Sequence, residues 1–172
     1  MYAQSDIRVA AADDLDKIMR IFQEATRAML VAGIDQWDGS YPVRERVSAD
    51  IELGDVFVMD LDGLPAATIT LNARQDAQYR EIGWNYRRDP VLVIHRLAVV
   101  PAAQGRGLGR QLCLFAEHYA RQRGFKVIRL DAYSGNPVSN QLYKGLGYVR
   151  AHGFCWFHGN QLPFLCYEKP IG

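Results

Sequence analysis

Residues 91–148 constrain this chain more than any other stretch. Val91–Val100 is apolar over nearly its whole length, as expected of a central strand covered on both faces. A short bend follows at Pro101-Ala102-Ala103. Then Gln104-Gly105-Arg106-Gly107-Leu108-Gly109 runs straight into a helical pattern that ends near Arg123. The helix leads to a second buried strand, Val127–Ala132, so the two strands should run parallel. Strand, glycine turn and helix N-terminus in that order make a site for phosphates. The first N–H groups of a helix have no intrahelical acceptor, and the helix dipole adds partial positive charge there. Glycines let the backbone approach an anion with no Cβ in the way. Arg106 and Arg110 place two cations beside those amides.

The remaining segments read as alternating elements of one layer structure. Asp6–Ala11 is expected to be a first strand, and Asp13 or Asp14 can cap the helix after it. Leu15, Ile18, Met19, Phe22, Ala25, Met29 and Leu30 recur at helical spacing, and Gly33 ends the pattern. Residues 34–41 form a loop. Pro42 fits the first position of a second helix with a thin stripe of Val43, Val47 and Ile51, closed by Gly54. Val56–Asp60 and Ala66–Leu71 are strands joined by a turn at Asp62-Gly63. Asn72–Pro90 is long and polar, so it is either functional or hides a strand extension or helical turn at Tyr79–Trp84. After Val127–Ala132, Asn136 and Pro137 open a short helix ending near Gly145 or Gly147. Strands follow at Tyr148–Phe157 and Pro163–Lys169, separated by His158-Gly159-Asn160. The order β-α-α-β-β-β-α-β-α-β-β implies a mixed α/β layer structure, mostly antiparallel, with one parallel βαβ unit at its centre. A length of 172 residues suits a single domain over 1–172.

Composition narrows the function. A net charge of +1 argues against a nucleic-acid binder, which usually carries a strong basic excess. No apolar run is long enough to span a bilayer, and the N-terminus alternates polar and apolar residues with no signal-peptide core, so a cytoplasmic protein is expected. Cys113, Cys155 and Cys166 are an odd set without paired spacing, which disfavours a disulfide framework. His152, Cys155 and His158 lie close in sequence. In a strand, however, Cys155 points away from the face of His152, His158, Phe154 and Trp156, so no metal site is expected. The glycine turn could also belong to a dinucleotide site, since Asp131 sits at a strand end about 20 residues on, where a ribose-binding acid would lie. The spacing is Gly-x-Gly-x-Gly rather than Gly-x-Gly-x-x-Gly, and the chain has too few βα units for that fold.

At these residues the sequence resembles the GNAT acetyltransferase superfamily. Gln104, Gly107 and Gly109 fill its Arg/Gln-x-x-Gly-x-Gly/Ala signature, after a strand ending in Arg96-Leu97-Ala98-Val99. Ile128-Arg129-Leu130-Asp131-Ala132, then Asn136, Asn140, Tyr143 and Gly147-Tyr148, continue the likeness, which is strong over about a third of the chain. The resemblance implies a GNAT fold with a splayed parallel strand pair and flanking helices. It implies acetyl-CoA as cosubstrate with no metal, and acetyl transfer to a primary amine by direct attack in a ternary complex. Coenzyme A phosphates would lie on Gln104, Gly105, Arg106, Gly107, Leu108 and Gly109. The pantetheine arm would pair with Leu97, Ala98 and Val99, with an N–H near Val99 as oxyanion donor. Asn136 would contact the cofactor, and Tyr143 would be both a cofactor contact and the acid for the departing thiolate. Asn136 also reads as a plain helix cap and Tyr143 as a core aromatic.

The general base stays open among His95, Glu81, Asp35, Asp38 and an ordered water chain. The acceptor side is expected at residues 34–41 together with Asn72–Pro90. There Trp37 and Tyr41 would flank a substrate, and Asp35 and Asp38 would attract an ammonium group. The acceptor would be a small-molecule amine or a peptide amine, with no nucleic-acid or membrane partner, and the protein a monomer or homodimer. The alternative function is a non-catalytic acyl-CoA-binding or regulatory module.

Overall fold

Hydrophobic spacing decides the first helix. In the computed structural model, which describes residues 7–157 and 159–172, α1 runs Leu15–Val31 and buries Ile18, Ile21, Phe22 and Ala25. Before it lies β1, Ile7–Val9, a shorter strand than expected; Asp6 and His158 lie outside the described residues. Asp14 precedes α1 but does not cap it. Its carboxylate accepts from the Ala11 N–H at 2.8 Å and from Arg8 at 2.7 Å, and the Arg8 guanidinium holds its pKa below the ordinary carboxylate value. A charged partner outbids the helix amides for those oxygens.

The next helix, α2, is Arg44–Glu52. Pro42 is therefore not its first residue: Val43 is extended at φ −74° and ψ 142°, which delays helix entry to Arg44. The strands are β2 (Val56–Leu61), β3 (Leu64–Asn72), β4 (Val91–Val99), β5 (Val127–Tyr133), β6 (Val149–Cys155) and β7 (Phe164–Pro170). They alternate with α3 (Leu108–Gln122) and α4 (Pro137–Gly145). The element order is the one expected. The seven strands of the described residues form one sheet in the order β1-β2-β3-β4-β5-β7-β6. β4 and β5 are parallel, in the register Val91↔Val127, Leu92↔Ile128 and Val93↔Arg129. β1–β2, β2–β3, β5–β7 and β6–β7 are antiparallel.

The chain divides into two compact units. The first comprises Met1–Gly33, Trp37–Leu71 and His95–Phe115. Its core holds Ile18, Ile21 and Phe22 of α1, Val58 and Met59 of β2, Ile69 and Leu71 of β3, and Leu108 and Leu112 of α3. The second comprises Ile34–Gln36, Asn72–Ile94 and Ala116–Gly172. Its core gathers Val91, Val93, Val127, Tyr133, Cys155, Phe164 and Cys166 under Tyr79, Ile82 and Trp84.

Those last three residues resolve the long polar segment. Ala77–Glu81 is a 3₁₀ turn whose preceding Asp76 side chain accepts from the Gln78 N–H at 2.9 Å. Gly83 then bridges to His152, donating its N–H to the His152 carbonyl at 2.7 Å. The segment thus holds both a helical turn and a strand-like pairing. It is kept in place by three buried apolar side chains.

Candidate active site

The residues singled out in the sequence fall into two groups, one in each unit. In the first unit, β4 reaches Leu97, Ala98 and Val99 after Arg96, which has a φ of +47°. A non-glycine residue in the left-handed region inside a strand marks a break in the regular pleat. Arg96 is held there by an ion pair with the buried carboxylate of Asp50. Beyond β4, Val100 donates to the Ala66 carbonyl at 2.9 Å, and Pro101–Ala103 makes one 3₁₀ turn. Gln104 then folds back, its Nε2 donating to the Val99 carbonyl at 3.2 Å.

Gly105 and Gly107 have φ of +76° and +82°, values that side chains rarely adopt. A Cβ at either would meet nothing within 4 Å, so the space over the turn is open. Leu108 is buried and anchors the start of α3, while Arg106 and Arg110 are exposed. The first bond of this helix runs from the Gln111 N–H to the Gly107 carbonyl at 3.0 Å, leaving the N–H groups of the opening turn without intrahelical acceptors. Open space, positive φ and unsatisfied amides at the head of a 15-residue helix suit a polyphosphate.

Trp37 and Tyr41 also lie in the first unit. Trp37 is not exposed, as a substrate-flanking aromatic was expected to be. It is 9% exposed and packs edge-on against Phe22 at 5.7 Å, because an indole gains more from the α1 core than from solvent. Tyr41 is 45% exposed and sits 6.1 Å from Trp37. Asp38 accepts from the Ser40 N–H and hydroxyl at 2.8 and 2.6 Å, which lowers its pKa and makes it a turn-forming group. Half-buried His95 lies in β4 just before Arg96, and Glu81 is exposed.

In the second unit, Asn136 caps α4. Its Oδ1 accepts from the Ser139 N–H at 3.2 Å, and its Nδ2 donates to Gln36 Oε1 at 2.8 Å. The capping expectation therefore holds, with a second bond to the 34–36 segment. Asp35 of that segment accepts from the Tyr133 hydroxyl. Tyr143 is buried, its ring 5.9 Å from Tyr148 and 6.2 Å from Tyr167. Tyr167 in turn donates to Asn140 Oδ1 at 2.7 Å. In β6, Cys155 is buried while His152 and Phe154 are exposed, the opposition of faces expected of a strand, and Trp156 just beyond its end is exposed as well.

The sequence did not single out the pair formed by Tyr79 and Asp131. The Tyr79 hydroxyl donates to Asp131 Oδ2 at 2.7 Å. Burial raises the Asp131 carboxyl from its ordinary 3.8 to about 6, against the lowering effect of that hydrogen bond. Burial, then the Asp131 charge, pushes Tyr79 well above its ordinary value, so the proton stays on the phenol. The available signal was a carboxylate inside the apolar strand Val127–Ala132, which demands a buried donor. The donor came from a segment with no readable pattern.

A consequence for stability follows from the sign of the shift. The folded-state pKa of Asp131 is raised, so the folded protein holds this proton more tightly than the unfolded chain does. That contribution is present below about pH 4 and is lost as the pH rises through about 6. The gap between 3.8 and about 6 corresponds to at most about 3 kcal/mol. Asp131→Asn is expected to stabilise the protein near pH 7 by up to that amount, with the gain fading towards pH 4. Urea unfolding across pH 4–8 checks this; a gain independent of pH would mean the carboxylate is not enclosed.

The sequence profile of the acetyltransferase (GNAT) family matches residues 15–148. A mycothiol acetyltransferase from Thermomonospora curvata is 36% identical over 74 residues, which are 41% of this chain and 25% of that protein. The chain thus spans about a quarter of the length of that curated relative. A GNAT-family acetyltransferase from Streptococcus agalactiae superposes with a TM-score of 0.79 at 27% identity, covering 99% of this chain and 98% of the other. A structure from Salmonella typhimurium with its cofactor acetyl-CoA gives a TM-score of 0.70 at 21% identity over 96% of this chain and 93% of the other, a likeness of fold. The family match runs from α1 past the end of α4, well over half of the chain, and the protein belongs to the acetyltransferase (GNAT) family.

Proposed function

We propose that the chain is an acetyl-CoA-dependent N-acetyltransferase that moves the acetyl group to a primary amine by direct attack in a ternary complex, with residues 1–172 working as one domain. The observation that carries this reading is the turn Gln104–Gly109, with two positive-φ glycines under open space at the head of α3. Its amides hold the coenzyme A phosphates, assisted by Arg106 and Arg110. The broken pleat at Arg96 frees the backbone of Leu97, Ala98 and Val99 to pair with the pantetheine arm. An N–H near Val99 meets the carbonyl oxygen as the amine adds. Asn136 orients the cofactor from the head of α4, and Tyr143 gives its proton to the sulfur as the C–S bond breaks. The acceptor loses a proton to solvent or to a base on the acceptor side, and Tyr143 regains one from solvent, so the charges balance. That the Salmonella typhimurium structure carries acetyl-CoA on the same fold supports the choice of cosubstrate.

Release of free thiol from acetyl-CoA across a panel of amines tests the reading. Turnover with any amine is expected. Tight coenzyme A binding with no turnover on a broad panel would favour a non-catalytic acyl-CoA-binding module instead.

A further inference from the structure

The second unit contains a cavity of about 280 Å³, lined mostly by the Asn72–Pro90 segment that is expected on the acceptor side. Tyr79 and Trp84 form its aromatic wall, Gln75 and Asp76 its lip, and Arg80, Arg87 and Arg129 bring three cations against the single carboxylate of Asp76. Asp76 is already committed to the Gln78 N–H. Arg129 is 5% exposed and lies flat on the Trp84 ring, with its guanidinium carbon 4.3 Å from the centroid. Its Nη2 donates to the Tyr86 carbonyl at 2.8 Å and its Nη1 to Gln75 Oε1 at 2.7 Å. Its Nε–H is buried with no partner, and Glu168 Oε2 stands 4.0 Å away, too far for a hydrogen bond. Burial disfavours the Arg129 charge, Glu168 and then Tyr79 offset part of this, and Arg87 adds the smallest, repulsive contribution. Arg80 and Arg87 are exposed, and among the described residues neither has a carboxylate partner.

This is a buried, oriented cation with one N–H lacking an acceptor and two exposed cations at its mouth. The acceptor it has at the lip is a neutral amide on the exposed residue Gln75. A carboxylate in that place would make a charge-assisted bond roughly twice as strong, and the displaced amide would return to water at little cost. We propose that the cavity receives a carboxylate carried by the acceptor, so that the enzyme acetylates an amino acid or a derivative that keeps its free carboxylate. One carboxylate oxygen takes the position of Gln75 Oε1 on Arg129, and the other faces Arg87 and Arg80 at the mouth. The inference rests on the acetyltransferase reading above.

The test compares kcat/KM for amino acids and their carboxamides on the parent, Arg87→Gln and Arg129→Gln. Calorimetry with N-acetylated amino acids, which keep the carboxylate but have no free amine, reads the site without turnover. The parent is expected to prefer the acid to the amide by about tenfold or more, the size of one charge-assisted bond. That ratio should fall in Arg87→Gln and approach 1 in Arg129→Gln, and carboxylate affinity should fall with it. Arg87 is exposed, so its variant carries the test if Arg129→Gln does not fold. No acid preference in the parent, or a preference undiminished in every folded variant, overturns the proposal. So does binding of inorganic phosphate in place of carboxylates. Carboxylate binding that depends on Arg87, with no amine turned over, would keep the carboxylate site, remove the acetyltransferase reading and overturn the assignment to an acceptor.

Discussion

Tyr143→Phe is expected to lower kcat and kcat/KM together by about 10²–10⁴-fold, the usual worth of a positioned acid. The change removes one oxygen and keeps the ring. Tyr143 is 6% exposed and held between Tyr148 and Tyr167, and those edge and tilted contacts are made by ring carbons that phenylalanine retains. Folding should therefore survive, and coenzyme A affinity should change little. A thiol leaves as a thiolate of pKa about 8.5, so departure without an acid is feasible but slower. A proton given only as the C–S bond breaks places its loss in the transition state, so under this proposal the effect appears in kcat as much as in kcat/KM. Steady-state kinetics with a cofactor titration on both proteins checks this. A near-parental kcat with chemistry rate-limiting would leave Tyr143 as a packed core aromatic. A large loss of cofactor affinity at unchanged kcat would make it a binding residue.

Gly107→Val is expected to weaken coenzyme A binding by about a hundredfold or more while the protein still folds. Gly107 has a φ of +82°, where a β-branched residue is strained by about 1–3 kcal/mol. The Cβ meets no protein atom within 4 Å, so it projects into the space over the α3 amides that the phosphates are to occupy. Each hydrogen bond from an amide to a charged oxygen is worth about 1.5–3 kcal/mol, and losing one or two accounts for the hundredfold. Calorimetry on the parent, the Val variant and Gly107→Ala separates the causes. The Ala variant carries the left-handed strain with a smaller obstruction, so its affinity should fall between the other two. A folded Val variant that binds coenzyme A as tightly as the parent would place the phosphates elsewhere.

The two predictions draw on different amounts of sequence information. The glycine turn was readable because its physics is local: strand, positive-φ glycines and helix start are consecutive in the chain. Its cap-side counterpart, Asn136-Pro137 at the head of α4, was readable for the same reason. The character of Trp37 was not. A short loop between acids looks solvated in sequence, and only the arrival of Phe22 from α1 makes burial the better state for the indole. The start of α2 moved to Arg44 because Val43 takes an extended conformation, which no propensity scale registers.

The sequence by itself determined the order of the eleven helices and strands of the described residues, the parallel pairing of β4 with β5, and the position of the glycine turn Gln104–Gly109. Hydrophobic period, capping residues and glycine placement act within a few residues of one another, and the short βαβ connection leaves one handedness of crossover. Tertiary structure alone decided the partners of the buried charges. Asp131 meets Tyr79, 52 residues away; Arg129 meets Gln75, 54 residues away; and Arg96 meets Asp50, 46 residues away. It also set β7 between β5 and β6, which no local pattern specifies. A buried charge must find a partner wherever the fold brings one, so its choice is a property of the packed whole and not of its neighbours in the chain.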